Sequence, residues 1–173
     1  MALTDKEKQM KHILSGMFLM VMSHAALAQS PDVVTTREVF QDWQLTCVNR
    51  DDQERCNMNQ TQRNQNGQVV AVVNVKHIAD GTTLEIGLPL MLDLQQPITV
   101  SVDEIFLTDW PYSTCNNQAC FVIRKNDQAM LDAFTIGVSA NFSFAMYEGR
   151  EVSLSVSLSG FAAAFSALEA KAL

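Results

Sequence analysis

The four cysteines of this 173-residue chain fall into two close pairs, and this arrangement limits the folds that the chain can adopt. Cys47 is followed by Cys56, and Cys115 is followed by Cys120. In an oxidising compartment, pairs this close usually form disulfides, whereas in the cytosol they suggest a metal or redox site. The compartment in which the protein works therefore decides how the cysteines are interpreted.

The N-terminal segment predicts export. Three lysines precede an apolar run over 13–28, which ends in small residues up to Ala28. A basic start, a short apolar middle and small residues before the cut are typical of a secretory signal peptide, so we expect residues 1–28 to be removed between Ala28 and Gln29. A membrane anchor is the alternative, but spanning a bilayer takes about 20 mostly apolar residues, and this run is shorter and interrupted by polar ones. We therefore expect a protein without a transmembrane anchor after cleavage that is periplasmic, associated with the outer membrane or secreted.

The charge of the remaining chain excludes some partners. Removing the three lysines and two acidic residues of the signal leaves nine basic and 17 acidic residues, a net charge of −8. Binding of nucleic acid depends on clustered Lys and Arg, so a nucleic-acid partner is not expected. The acidic surface favours solubility. The length suits one domain, which we place at 43–173 after a flexible lead-in over 29–42.

Export favours disulfides over a metal site. Four cysteines allow three pairings, and we favour Cys47–Cys56 with Cys115–Cys120 because neighbours in sequence meet soonest. The alternative is a zinc site with four thiolates, whose paired ligands are usually two to four residues apart. Cys115 and Cys120 fit that spacing loosely, but Cys47 and Cys56 do not. We expect no metal and no cofactor.

Most of the body alternates apolar and polar side chains with a period of two, as is typical of strands with one buried face. In the clearest run, serines separate Val152, Leu154, Val156 and Leu158. The same pattern occurs at 43–47, 69–78, 98–103 and 142–146. Turn signals such as Asn66-Gly67 separate these runs. Seven or so short strands of this kind predict an antiparallel β-sandwich.

Three segments depart from this pattern. Asp127 can cap a short helix that continues to Phe134. The Ala-rich segment 161–173 predicts a C-terminal amphipathic helix that packs on the sheet. The stretch 49–67 is the most polar of the chain and is rich in Asn and Gln. We interpret it as an exposed loop or hairpin tip that a Cys47–Cys56 disulfide closes at its base.

No catalytic constellation is recognisable in the sequence. After cleavage His77 is the only histidine, so one chain cannot form a histidine-rich metal site. No nucleophile motif accompanies His77, and the adjacent Asp103 and Glu104 would point to opposite faces of a strand. We therefore expect a protein that is not an enzyme. The alternative is a small-ligand-binding protein or a hydrolase-like enzyme that uses His77 and carboxylates in a cleft.

The candidate interaction surface combines aromatic and amide side chains. Trp110 and Tyr112 lie close together in a predicted loop, and exposed aromatic residues on loops are good contact residues. Packing over the Cys115–Cys120 bridge is the competing use of these two rings. Asn57 and Asn59, in the polar stretch, are the amide candidates.

A series of landmarks extends over nearly all of the chain after the signal, from Trp43 to about Leu168. In order, these landmarks are Trp43-x3-Cys47, Cys56, Gly87-Leu88-Pro89-Leu90, Cys115-x4-Cys120, and 154–159 continuing into Gly160-Phe161. In their order and spacing, the sequence resembles the invasion-associated locus B family. The resemblance implies a small exported protein of Gram-negative bacteria with disulfides and an immunoglobulin-like β-sandwich. The family is named after a member linked to the invasion of host cells, and it supplies no catalytic or ligand residues that could be transferred to this chain.

Together these observations predict an exported, non-enzymatic protein of the bacterial envelope that acts as an interaction or structural module. Its partner is expected to be an unidentified protein or another envelope component. A role in host-cell invasion follows only from the name of the family.

Overall fold

Two antiparallel sheets and two helices form the fold of the computed structural model, which describes residues 33–51 and 53–171. The elements in these ranges, in chain order, are β1 (Val34–Phe40), β2 (Trp43–Arg50), β3 (Gln53–Arg63), β4 (Val69–Ile78), β5 (Gly81–Leu88), β6 (Ile98–Val102), β7 (Ile105–Trp110), β8 (Thr114–Cys115), β9 (Cys120–Lys125), α1 (Gln128–Ile136), β10 (Ser139–Ala145), β11 (Glu151–Ser157) and α2 (Phe161–Ala170). All described residues belong to one compact unit. The predicted mainly β, antiparallel architecture is confirmed.

The larger sheet has seven strands in the order β1-β2-β3-β4-β5-β9-β8. Its first five strands form a continuous meander, because each pairs with the next in antiparallel register. Short turns make this possible: only Gln41 and Asp42 separate the paired residues Phe40 and Trp43, and Gln41 adopts a left-handed conformation with φ 53°. Tight two-residue hairpins need such positive φ angles.

The smaller sheet has four strands in the order β11-β10-β6-β7. Alternation places Ala140, Phe142 and Phe144 of β10 on the buried face. The turn between β6 and β7 is tied to the start of β10 by Asp103, whose carboxylate accepts hydrogen bonds from the backbone N–H groups of Val138 and Ser139. These polar contacts therefore reinforce the pairing of β6 with β10 inside this sheet.

The buried side chains of both sheets and both helices form one hydrophobic cluster. Two hydrogen bonds to the backbone oxygen of Ser157, at the end of β11, join the sheets across this core. Trp43 Nε1 of β2 donates at 3.1 Å, and Gln60 Nε2 of β3 donates at 2.9 Å. Buried polar groups are costly unless they are hydrogen-bonded, so these contacts explain how the nearly buried Gln60 is tolerated in the core.

Both predicted helices are present. Asp127 caps α1 by accepting a hydrogen bond from the backbone N–H of Met130, and Met130, Leu131 and Phe134 face the core. The C-terminal helix α2 buries one stripe of its surface against the larger sheet. Its Phe161 ring contacts the Trp43 ring edge-on, with centroids 4.9 Å apart.

Both disulfides of the predicted pairing are present. Cys47 of β2 and Cys56 of β3 face each other directly in the β2–β3 hairpin. Cys115 and Cys120 join β8 to β9 in the same way. Each disulfide therefore links the two strands of one hairpin in the larger sheet.

Two expectations about local structure are wrong. The flexible lead-in proposed over 29–42 contains the strand β1, which pairs with β2 along its whole length. Because β1 is an edge strand with almost every side chain exposed, it lacks the alternation that would have identified it. The polar stretch 49–67 contains the end of β2 and the whole eleven-residue strand β3, so most of it is not a loop. Its core face is formed by Met58 and by Gln60, a residue whose polarity concealed the strand.

The predicted signal peptide and its cut between Ala28 and Gln29 lie outside the described residues. Neither α1 nor α2, the two helices of the described part, has the length and apolar character needed to cross a bilayer.

Candidate functional site

A cleft with a volume of about 870 Å³ lies beside the C-terminal end of α2. The first half of β3 and the last half of β4 form its walls, together with the β4–β5 turn. The lining residues are Glu54, Arg55, Cys56, Asn57, Asn74, Lys76, His77, Ile78, Ala79, Leu168 and Lys171. This volume falls within the range of about 300–1,000 Å³ that is usual for ligand sites.

Cations dominate the charged groups of this cleft. Arg55, Lys76 and Lys171 line it, and Glu54 is the only carboxylate among its lining residues. Lys171 Nζ lies 3.9 Å from Glu54 Oε1, and Lys76 Nζ lies 3.4 Å from Oε2 of Glu85 on β5. The local excess of positive charge contrasts with the net charge of −7 of the whole chain.

Amide and apolar groups complete the lining. Asn57 Nδ2 donates to Asn74 Oδ1 at 3.2 Å across the β3–β4 pair. Ile78, at the end of β4, is 38% exposed, whereas Leu168 of α2 is only 1% exposed and belongs to the core. Alternation places Arg55 and Lys76 on the same sheet face as this amide pair, opposite to α2, whereas Lys171 follows α2, so the lining groups do not all face one ligand.

His77 lies in this cleft, but its ring nitrogens are occupied or enclosed. The hydroxyl of Thr82 is 3.0 Å from Nδ1, and the ring stacks on Phe165 of α2 with centroids 6.3 Å apart. Nε2 is buried and has no hydrogen-bond partner among the described residues. A general acid or base must reach the proton that it transfers, and neither nitrogen is free to do so in this arrangement. The His77-based alternative is therefore not favoured.

The Cys47–Cys56 disulfide forms part of the wall, where the Glu54 carboxylate lies within 4.8 Å of both sulfur atoms. Two sulfurs and a carboxylate at this distance resemble a set of metal ligands. The sulfurs are bonded to each other, however, and metal binding by cysteine requires the thiolate. The four-thiolate zinc site weighed against the disulfides is therefore wrong.

The two amide candidates lie on β3. Asn57 lines the cleft, and Asn59 is half-buried on the same strand, where it pairs with Asn74 in the β3–β4 register. Sequence reasoning placed both in a loop, whereas the strand fixes their spacing and direction.

Trp110 is not part of an accessible surface, which corrects the proposed interaction role of this residue. Its side chain is only 1% exposed at the end of β7, and the Arg124 guanidinium lies over its ring, 5.3 Å from the centroid. Tyr112 is half-buried against the core, and its hydroxyl is enclosed. Burial, followed by the negative charge of Asp93, raises the pKa of Tyr112 to about 12. Both rings are therefore packed into the fold, and their packing over the Cys115–Cys120 bridge stays a prediction.

The cationic cleft itself could not be found from the sequence. Its three cations lie on β3, on β4 and after α2, and no local motif connects them. Only the β3–β4 hairpin and the packing of α2 bring Lys171 close to Glu54.

The model of the family described as "Invasion associated locus B (IalB) protein" matches residues 43–169. This match covers most of the chain and includes every strand from β2 onward, α1, nearly all of α2 and both disulfides. The chain belongs to the invasion associated locus B family. The resemblance stated from the sequence landmarks is therefore confirmed.

Two relatives and one solved structure support this assignment. The invasion protein B homologs of Brucella abortus (strain 2308) and of Brucella abortus biovar 1 (strain 9-941) are each 30% identical over 139 residues, which is 79% of this chain and 80% of each relative. The crystal structure of invasion associated protein b from Bartonella henselae superimposes with a TM-score of 0.69 at 23% identity. The matched region covers 78% of this chain and 95% of the Bartonella henselae chain, and the similarity supports the fold alone.

Proposed function

We propose that this member of the invasion associated locus B family is an exported, non-enzymatic protein of the bacterial envelope that binds a partner in the cationic cleft. The observation that carries the proposal is the composition of this cleft. Three cations and an amide pair line it on two sides of the sheet, while neither ring nitrogen of His77 is available for proton transfer. Such a site is suited to binding rather than to acid–base chemistry.

Export is supported by two independent features. The N-terminal sequence has the three parts of a secretory signal, and all four cysteines are paired in disulfides, which persist in oxidising compartments. The final location, in the periplasm, at the outer membrane or in the medium, is part of the same proposal. Non-reducing peptide mapping of protein recovered from fractionated cells tests it, because retention in the cytosol with free thiols contradicts export.

The binding role is tested by site-specific photo-crosslinking in the native envelope. A photoreactive amino acid replaces Arg55 in the cleft or, as the control, Arg150 in the exposed turn before β11. We expect Arg55 to give a discrete crosslinked partner that mass spectrometry identifies, and Arg150 to give none. Equal crosslinking from both positions contradicts binding in the cleft.

A role in host-cell invasion is proposed from the names of the Brucella relatives, which are called invasion protein B homologs. A strain that lacks this protein should then invade cultured host cells less efficiently, and re-expression should restore invasion. Unchanged invasion contradicts that role and leaves binding in the cleft to be judged by crosslinking.

A further inference from the structure

We propose that the outer face of the seven-stranded sheet, which is the face opposite to α2, docks the protein on an anionic phospholipid surface. The cations that carry this inference are Arg37, Arg50, Arg55, Lys76 and Lys125. Two of them, Arg55 and Lys76, also line the cleft, whereas the other three do not. The inference shares the export proposed above but does not depend on a partner in the cleft.

Alternation and register place these five cations on one face. Successive side chains of a strand point to opposite faces of its sheet, and Trp43 of β2 faces the core, so the even-numbered residues of β2 point outward. Strand pairing extends this outer face in one row across six strands, through Arg37, Thr46, Asn57, Lys76, Thr83 and Lys125. Arg50 and Arg55 belong to the same face, because they lie an even number of residues from Thr46 and Asn57 on their strands.

Charge is segregated on the outer face. Nine Lys and Arg residues follow the predicted signal, and five of them point outward here. Glu85, which lies 3.4 Å from Lys76, is the only acidic residue that the described strands place on this face. The acidic residues of the smaller sheet lie behind the larger one, about 10 Å or more away. Because the Debye length is about 8 Å at physiological ionic strength, a surface that touches the outer face interacts mainly with its cations, although the whole chain is negative.

The cations of the outer face are accessible. Four of them are exposed and form no ion pair with another described residue, namely Arg37, Arg50, Arg55 and Lys125. The side chain of Lys76 is 41% exposed despite its contact with Glu85. Among the described elements, α2 and the smaller sheet pack on the reverse side, where Phe161 contacts Trp43 and Gln60 donates to Ser157. The outer face is therefore left open to a partner.

The extent of the outer face favours a membrane over a small ligand. Five strand intervals separate Arg37 from Lys125, which corresponds to about 24 Å at about 4.8 Å for each interval. A single small anion reaches only one or two of these cations. Anionic phospholipids present phosphate groups over the whole area, and each Lys or Arg near such a surface contributes to binding.

The side chains between the cations favour lipid over a protein partner. The core of a protein interface is rich in aromatic residues and poor in charge. The middle of the row instead carries hydroxyl and amide side chains at Thr46, Asn57 and Thr83, with Lys76 among them. Such a face recognises charge without inserting apolar groups, so we expect docking to be reversible and dependent on salt.

The inference is tested by sedimenting lipid vesicles with the exported form of the protein, purified with both disulfides formed. The test vesicles contain equal parts of phosphatidylglycerol and phosphatidylcholine, and the control vesicles contain phosphatidylcholine alone. We expect saturable binding to the anionic vesicles that weakens as salt is added, and no binding to the control vesicles.

Matched variants locate the contact at residues outside the cleft. Arg37→Gln with Lys125→Gln removes both ends of the row and should weaken binding about 25-fold, since each cation near an anionic surface contributes a factor of about five. The control Arg150→Glu changes the net charge by the same two units in the exposed turn before β11, and should bind as the parent does. Melting curves show whether the fold is retained. If the double variant melts lower, Lys125→Gln alone takes its place, with an expected loss of about fivefold.

Several results overturn the inference. These are absence of binding to the anionic vesicles, equal binding to both kinds of vesicle, binding that salt does not weaken, or equal losses in the double variant and its control. Crosslinking of an acidic envelope protein by a photoreactive residue at position 37 would assign the face to a protein instead. A partner recovered by crosslinking at Arg55 without vesicle binding leaves the proposed function standing and rejects lipid docking, whereas vesicle binding without such a partner does the reverse.

Discussion

Gly160 holds the start of α2 against the first hairpin of the larger sheet, and adding one methyl group there should release it. The residue is the N-cap of α2 with φ 87°. A Cβ at this position would overlap the backbone oxygen of Phe40 and lie 2.7 Å from the Phe40 carbonyl carbon. Because the obstacle is backbone, no rotation of a side chain can relieve the overlap. Gly160→Ala should therefore push α2 away from the hairpin formed by β1 and β2.

Gly149 provides a matched control for the magnitude. It has nearly the same backbone conformation, with φ 85°, but a Cβ there meets nothing within 4 Å. Placing alanine in a left-handed conformation costs about 1 kcal/mol, which is the whole effect expected for Gly149→Ala. At Gly160 the overlap adds about 1–3 kcal/mol, as in overpacked cores. The total of about 2–4 kcal/mol is a large part of the stability of about 5–15 kcal/mol that is typical of a domain.

Urea unfolding followed by tryptophan fluorescence measures both changes. Trp43 is a suitable reporter, because its ring contacts Phe161 in the first turn of α2. Both variants should unfold in one transition, with the midpoint of Gly160→Ala clearly below that of Gly149→Ala. If the two variants lose the same free energy of unfolding, the overlap with Phe40 has no energetic effect and our account of how α2 is positioned is wrong.

Three further predictions concern Tyr112, the β6–β7 turn and the first disulfide. The pKa of Tyr112 is raised from 10.0 to about 12 in the folded protein, so the unfolded chain releases this proton at a lower pH. The free energy of unfolding should therefore fall as pH rises from 10 to 12. In urea titrations, Tyr112→Phe should show a smaller fall over the same pH window. Asp103 and Glu104 both have positive φ, and the second position of such a turn favours glycine. Glu104→Gly should therefore raise the free energy of unfolding by about 0.5–1 kcal/mol. A lower melting temperature of this variant contradicts the prediction. Replacing Cys47 and Cys56 together by alanine should lower the free energy of unfolding by about 2.5–3 kcal/mol, as the entropy of the closed loop implies, and an unchanged urea midpoint contradicts a stabilising role for this bridge.

Much of the fold could be predicted from local patterns. Alternation identified β2, β4, β6, β10 and β11, since each has one face in the core. Capping by Asp127 and the apolar stripe of α2 identified the helices. The two disulfides followed from sequence proximity, because each pair lies in one hairpin.

The failures have physical causes that local patterns do not record. Gln60 is buried because it donates to the backbone of a strand 97 residues away, and hydrophobic periodicity treats it as a surface residue. Trp110 is covered by Arg124, and whether an aromatic side chain is exposed depends on what packs over it. The cationic cleft depends on the meeting of three separate elements, so it became visible only with the tertiary structure.

Trp43 and Gln60 both donate a hydrogen bond to the backbone oxygen of Ser157, and this limits when these contacts can form during synthesis. The two donors lie 114 and 97 residues earlier in sequence, and contacts between such distant residues form slowly because a long loop must close first. Synthesis proceeds from the N-terminus, so Trp43 and Gln60 stay without this acceptor until nearly the whole chain has been made. These two hydrogen bonds are therefore among the last contacts that a chain growing from its N-terminus can complete.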